Sequence, residues 1–145
     1  MNNDMTLYDK AKWHYEGDYP RDIPEENAYT HSGMFLAWLT DKNLLASTFI
    51  EDFQTEIQQL RERNITPGRL FQIVDGVLAS DMLNEESNAF AKSYFNGDQY
   101  LSDYHELLAK QLPSFYHVPD TWENYDKLKE RIDQRYSEWK KIQET

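Results

Sequence analysis

Apolar residues recur at three- and four-residue spacing through most of the chain, and no run of alternating β-branched residues bounded by turn signals reads as a strand. The pattern predicts an all-α fold, a single-domain bundle of about six helices spanning residues 1–145, with an irregular acidic link near the front. A short amphipathic segment near residues 5–14 carries Tyr8, Ala11 and Tyr15 at helical spacing; Gly17, Pro20 and Pro24 then force an irregular path. Pro24 followed by Glu25 and Glu26 reads as a helix start, because proline lacks an N–H that the first turn leaves unpaired and the acids face the positive end of the helix dipole. That helix is predicted to run to about Lys42. Ala28, Ser32, Phe35, Leu36 and Leu39 form one stripe, with His31, Met34 and Trp38 beside it, so it is apolar over a wide arc and belongs at the centre. Gly33 in its middle costs about 1 kcal/mol relative to alanine, which close helix packing at that point would explain.

Thr48 with Glu51 suggests a capping box for a second helix carrying Phe53, Ile57 and Leu60 and ending near Asn64. Thr66-Pro67 repeats the start signal for the most apolar helix, with Leu70, Ile73, Val74, Val77 and Leu78. Asn84 opens a fourth helix with Phe90, Tyr94 and Phe95, closed by Asn96-Gly97. Asp98 starts a fifth, with Leu101, Tyr104 and Leu108 inward, which Pro113 stops. Asp120 and Glu123 suggest a reciprocal cap for a long last helix through Trp122, Tyr125, Leu128, Ile132, Tyr136 and Trp139.

Charge changes this picture by being uneven. The net charge is −11, and residues 1–60 hold eleven acids against four bases. Glu16, Asp18, Asp22, Glu25 and Glu26 crowd into the link with only Arg21 to offset them. Such a balance argues against nucleic-acid binding and against an anionic membrane surface, since both depend on clustered Lys and Arg. The absence of cysteine removes disulfides and thiolate chemistry and suits a reducing compartment. The start MNNDMTLYDK lacks a signal-peptide core, and no window reaches membrane-span length, so a soluble, cytoplasmic protein is expected.

The chemical candidates are sparse. Of four histidines, His14, His31, His105 and His117, no two share the spacing of a zinc-binding helix face, and H-E-x-x-H is absent. Asp103, His105 and Glu106 are neighbours in sequence, but residues 103 and 105 do not share a helix face. Gly-x-Ser-x-Gly and glycine-rich phosphate loops are missing. The enzyme alternative is a small hydrolase or metal-dependent enzyme using His14, His31 and nearby carboxylates such as Glu16 and Asp18, brought together by a folded-back link. Against it, His31 lies between apolar stripes, where a hydrogen-bonded core histidine is the commoner outcome. No cofactor, metal site or catalytic residue is assigned. The link also carries Trp13, Tyr15 and Tyr19, and aromatic residues within a charged patch are the composition of a protein interface. Rings that pin the link to the helices, with the acids solvated around them, explain it equally well.

The string Trp13-His14-Tyr15-Glu16-Gly17-Asp18-Tyr19-Pro20, with Pro24-Glu25-Glu26-Asn27-Ala28 and Thr30-His31-Ser32-Gly33-Met34-Phe35-Leu36-Ala37-Trp38-Leu39, resembles a family of small acidic bacterial proteins of unassigned function. The match covers roughly residues 8–45, and the family looks like the immunity proteins encoded beside secreted antibacterial toxins. The resemblance implies a cognate toxin as partner and no catalytic residues. A basic toxin would be steered to a chain of this charge. The partner-binding set is then Trp13, Tyr15, Glu16, Asp18, Tyr19, Asp22, Glu25 and Glu26. Alternatively the shared motif holds the fold and partner-specific contacts lie in residues 80–120. An acidic adaptor or nucleic-acid mimic for a housekeeping partner fits the same features, and homo-oligomerisation is left open.

Overall fold

The computed structural model describes residues 5–144; Met1–Asp4 and Thr145, which the expected 1–145 domain and the reading of the N-terminal start include, lie outside them. The chain enters as a strand, β1 (Leu7–Lys10), and turns into a short helix, α1 (Ala11–Tyr15). After the link, a 3-10 turn (Glu25–Tyr29) leads directly into α2 (Thr30–Asp41). Next come α3 (Ser47–Asp52), α4 (Gln54–Arg61) and α5 (Pro67–Ile73), then a second strand, β2 (Val77–Ala79), and a 3-10 turn (Ser80–Met82). Helices α6 (Glu85–Tyr94) and α7 (Gln99–Tyr104) follow, the latter extended by a π turn (His105–Ala109). A 3-10 turn (Phe115–His117) precedes the long α8 (Trp122–Gln143). The result is a mostly helical single domain with one two-stranded antiparallel sheet. Among the described residues, no helix is long and apolar enough to cross a membrane.

Helix α2 is the axis of the fold, buried at every residue from Thr30 to Thr40. A helix apolar around its whole circumference must be enclosed on all sides, and α5, α4 and α8 pack on it together with the preceding turn. Each polar group so enclosed needs a partner. Thr40 Oγ1 donates to the Leu36 carbonyl at 2.8 Å, and Trp38 Nε1 donates to Asp133 on α8 at 2.8 Å. Rings fill the space beside it: Phe35 lies 5.1 Å from Phe95 and 5.2 Å from Tyr100 between centroids. The Tyr100 hydroxyl donates to the His31 carbonyl at 2.5 Å. Gly33 is where α5 comes closest, since a Cβ there would stand 2.5 Å from the Pro67 carbonyl oxygen and 2.8 Å from Gly68 Cα.

Asp103 ties α7 to α8. Its carboxylate is buried and receives Arg131 Nη1 and Arg135 Nε at 3.0 Å and the Tyr94 hydroxyl at 2.7 Å. Burial pulls its pKa up, but the hydrogen bonds from Arg135, Tyr94 and Arg131 outweigh burial and hold it below the ordinary carboxylate value.

The structure departs from the periodicity in specific places. Leu7–Lys10 forms a strand where a helical segment is expected, and Val77 and Leu78 belong to β2 instead of to the helix after Pro67. Asp75 and Gly76, both at positive φ, stop α5 and turn the chain into β2. The second helix is two, broken at Phe53 (φ −127°, ψ 35°), and Thr48 lies inside α3 without capping it. Thr66 and Asn84 do cap, accepting from the Arg69 and Ser87 amides. Thr121, not Asp120, caps α8. Asp120 instead reaches across to the start of α5, accepting from the Thr66 hydroxyl at 2.6 Å and the Gly68 amide at 3.0 Å. The left-handed residue after α6 is Asp98, one position beyond Gly97.

Gly33→Ala is expected to destabilise the protein by about 1–3 kcal/mol through overpacking against Pro67, despite the better helix propensity of alanine. Urea denaturation measures it, and a neutral or stabilised variant would show that α5 does not approach α2 there. Asp103→Asn is expected to cost about 3 kcal/mol at pH 7, the low end for a broken buried pair because both guanidinium groups reach solvent. Since the folded pKa of Asp103 lies below the ordinary value of 3.8, its contribution is present above that value and fades as pH falls through the folded one. The gap between wild type and variant should therefore narrow below about pH 4; a constant gap would contradict the assignment.

Candidate functional site

The link and the strand before it converge on one buried carboxylate. Tyr8 and Asp9 are both buried although adjacent in β1, where a regular strand would send them to opposite faces. The pairing of β1 with β2 is irregular between Leu7 and Asp9, and this bulge-like break lets both side chains turn inward. Asp9 meets α1 and α2 there. Its Oδ1 lies 2.7 Å from His14 Nε2, and its Oδ2 lies 3.2 Å from His31 Nε2 and 2.5 Å from the Ser32 hydroxyl that donates to it. Burial disfavours charge on Asp9, but the hydrogen bonds from His14 and His31 prevail and set its pKa far below the ordinary carboxylate value. Burial is also the main influence on His31, where it outweighs the attraction of Asp9 and lowers the pKa, keeping the imidazole neutral.

Donor accounting then orients the two imidazoles. An ionised Asp9 only accepts, so each histidine presents Nε2–H to it. His14 Nδ1 lies 2.5 Å from the Tyr116 hydroxyl. Burial, with smaller contributions from the charges of Asp9, Tyr19 and Asp18, raises the Tyr116 pKa to about 12, so the phenol keeps its proton. His31 Nδ1 is buried without a partner among the described residues. The outcome is a chain of groups from phenol to imidazole to carboxylate, with a second imidazole on the same carboxylate. A cavity of about 140 Å³ borders Asp9, His14 and His31, with Asn96 and Asp98 on its wall. One ligand atom from each of Asp9, His14 and His31 lies within 4.8 Å of the others, so this trio can present two nitrogens and an oxygen to a cation.

The same residues strap the segment Ser114–Val118 to the link. Asn27 Nδ2 donates to the Tyr116 carbonyl at 2.9 Å, and the Tyr19 ring lies 4.8 Å from that of Tyr116. His117 Nε2 lies 3.0 Å from Asp22 and its Nδ1 2.8 Å from the Ser114 hydroxyl. That order of carboxylate, imidazole and hydroxyl is shared with hydrolytic triads, but the Ser114 oxygen also accepts the Tyr116 amide at 3.2 Å as the cap of the 3-10 turn. The hydrogen bond to His117 lowers the Asp22 pKa.

Of the expected partner-binding residues, Trp13 stands 53% exposed on α1, which packs against the turn carrying Glu25 and Glu26. Glu16, Asp18, Asp22, Glu25 and Glu26 are exposed. Glu16 pairs with Lys12 at 4.0 Å and Asp22 with His117. Among the described residues, the side chains of Asp18, Glu25 and Glu26 have neither an ion pair nor a hydrogen bond. Tyr15 and Tyr19 are half-buried and hold the link: Tyr15 leans on Tyr29 with ring centroids 6.4 Å apart, and the Tyr19 hydroxyl donates to the Pro24 carbonyl at 2.7 Å.

The structure thus brings His14 and His31 together, but the carboxylate between them is Asp9, with Ser32 and Tyr116 as supports. Glu16 and Asp18 face solvent instead. The sequence carries no signal for Asp9, because the bulge that turns it inward also breaks the alternation that would mark the strand. The protein-family profile described as "Domain of unknown function (DUF7832)" matches residues 7–118, a span that begins at β1 and ends with the strapped segment. Neither a curated protein nor a solved structure gives a significant match.

Ser32→Ala removes the one hydroxyl donor on Asp9 and is expected to cost about 1.5–3 kcal/mol, the range for a hydrogen bond to a charged group. Chemical denaturation at pH 7 checks this; an unchanged midpoint would mean that Asp9 does not depend on Ser32.

Proposed function

The chain belongs to the family of that description, and we propose that it is an immunity protein that binds and neutralises a cognate antibacterial toxin by protein–protein contact. The observation that carries the reading is a set of uncompensated acids on a fixed backbone. Asp18, Glu25 and Glu26 project without cationic partners, beside an indole left half in solvent, while the link beneath them is fastened by Tyr15, Tyr19 and Asp22. A surface already ordered loses little conformational entropy on binding. Its charge accelerates encounter with a basic partner and disfavours acidic ones. Trp13 is the side chain suited to anchor the contact, since large rings dominate interface energetics. Tyr15 and Tyr19 act one layer below, as supports.

The second reading, an enzyme built on His14 and His31, is favoured by their meeting at Asp9 beside a cavity. The two readings use different residues. Chemistry would need the cavity, whereas neutralisation would need the exposed acids.

Co-expression with the product of the adjacent gene separates them. The expected result is that the neighbour is toxic alone, is tolerated with this chain and co-purifies with it. The double variant Glu25→Lys/Glu26→Lys should weaken the complex at low salt by about tenfold or more and flatten its salt dependence. Trp13→Ala should weaken it by a further ~30-fold, or about 2 kcal/mol. A neighbour that is harmless and never co-purifies, or an affinity untouched by all three changes, would overturn the proposal.

A further inference from the structure

We propose that Asp9, His14 and His31 form a mononuclear site for a divalent transition metal of the zinc class, with a solvent-derived oxygen completing the coordination from the cavity side. The inference is independent of the toxin reading and rests on different residues. Three elements, β1, α1 and α2, each contribute one group, and their ligand atoms lie within 4.8 Å of one another. Two imidazole nitrogens with one carboxylate oxygen suit Zn2+ and its neighbours, whereas Mg2+ and Ca2+ call for oxygen-rich shells. Three protein ligands with an open fourth position are the arrangement of reactive zinc sites, and the cavity of about 140 Å³ leaves room for the water.

The surroundings supply orienting contacts for two of the three ligands, of the kind such ligands usually have. The Tyr116 hydroxyl faces His14 Nδ1 at 2.5 Å, and Ser32 holds one oxygen of Asp9. In the tautomer that binds a cation through Nε2, the His14 proton sits on Nδ1 and donates a hydrogen bond to the Tyr116 oxygen, whose own hydrogen turns away from the ring. His31 Nδ1 has no partner among the described residues, so its far side commits that ring to neither tautomer. Donor atoms around a tetrahedral zinc with bonds of about 2.0–2.1 Å stand roughly 3.3 Å apart. His31 Nε2 stands 3.2 Å from Asp9 Oδ2 and His14 Nε2 stands 2.7 Å from Asp9 Oδ1, so both nitrogens and a single carboxylate oxygen meet one cation once the carboxylate turns and His14 shifts. His14 sits on a five-residue helix at the edge of the fold, where such a shift is inexpensive. Asp98 on the cavity wall adds a further negative charge.

The test uses the full chain without a histidine tag, stripped with chelator and titrated with Zn2+ by calorimetry and with Co2+ by visible absorption. One equivalent of Zn2+ should bind, Co2+ should give the intense d–d bands of a low-coordinate site, and Zn2+ should raise the thermal midpoint. His14→Ala should lower metal affinity at least 100-fold and abolish the thermal shift while retaining the wild-type circular dichroism. His105→Ala, an exposed histidine outside the trio, should bind as wild type does. His14 is the ligand to remove because His31 is wholly enclosed in α2 and its loss threatens folding. Absence of stoichiometric binding, or equal binding by His14→Ala, would overturn the proposal and leave the trio as a hydrogen-bonded core cluster.

Discussion

An ionised carboxylate inside a protein must be surrounded by donors, and Asp9 imposes that requirement on everything near it. Desolvation of a lone carboxylate would cost many kcal/mol, so the chain brings it two imidazoles and a hydroxyl from two separate helices. Once those positions are set, α1 must lie where His14 reaches Asp9, and the front of α2 must turn His31 and Ser32 toward β1. Tyr116 is then drawn in by the free nitrogen of His14, and with it the whole segment from Ser114 to Val118. A single buried charge thereby joins the beginning of the chain to a segment a hundred residues later.

This arrangement explains how an acidic, proline-interrupted link can be fixed without being buried. The groups that hold it are polar and lie on its inner side, while Glu16, Asp18, Glu25 and Glu26 are left outside. Mutual repulsion among those acids opposes compactness, and the tyrosines and the Asp22–His117 contact offset it locally. The consequence is a stable backbone displaying unneutralised charge, the combination on which recognition of a basic partner depends. The central helix contributes from beneath: buried from Thr30 to Thr40 and pressed against α5 at Gly33, it is a rigid base for His31 and Ser32.

Legibility in the sequence divided along physical lines. The α2 stripe, the Thr66-Pro67 start and the Asn84 cap were readable because local rules and tertiary packing agree there, and the proximity implied by Gly33 is met by Pro67. The strands were not, since three or four residues with a broken alternation carry no period to detect. Asp75-Gly76 was a turn signal in plain view, but the apolar spacing through Val77 and Leu78 ran past it. Among the site residues, the acids of the link were recognisable from composition. The pairing of His14 with His31 could be framed only as a folded-back loop, because Asp9 stands alone between Tyr8 and Lys10 outside the acidic link, with no pattern to mark it as buried. Tyr116, 102 residues beyond His14, offered no local cue at all.

The claim at the centre of this account is that the Asp9 cluster fastens the link and the Ser114–Val118 segment as one unit. Amide hydrogen exchange on wild type and His14→Ala addresses it directly, following the hydrogen-bonded amides of Glu16, Gly17 and Asn27 on one side and Tyr116, His117 and Val118 on the other. Exchange in both groups should accelerate together by tenfold or more in the variant, with the amides of α2 and α5 still protected. Unchanged rates, or acceleration confined to one of the two segments, would contradict it.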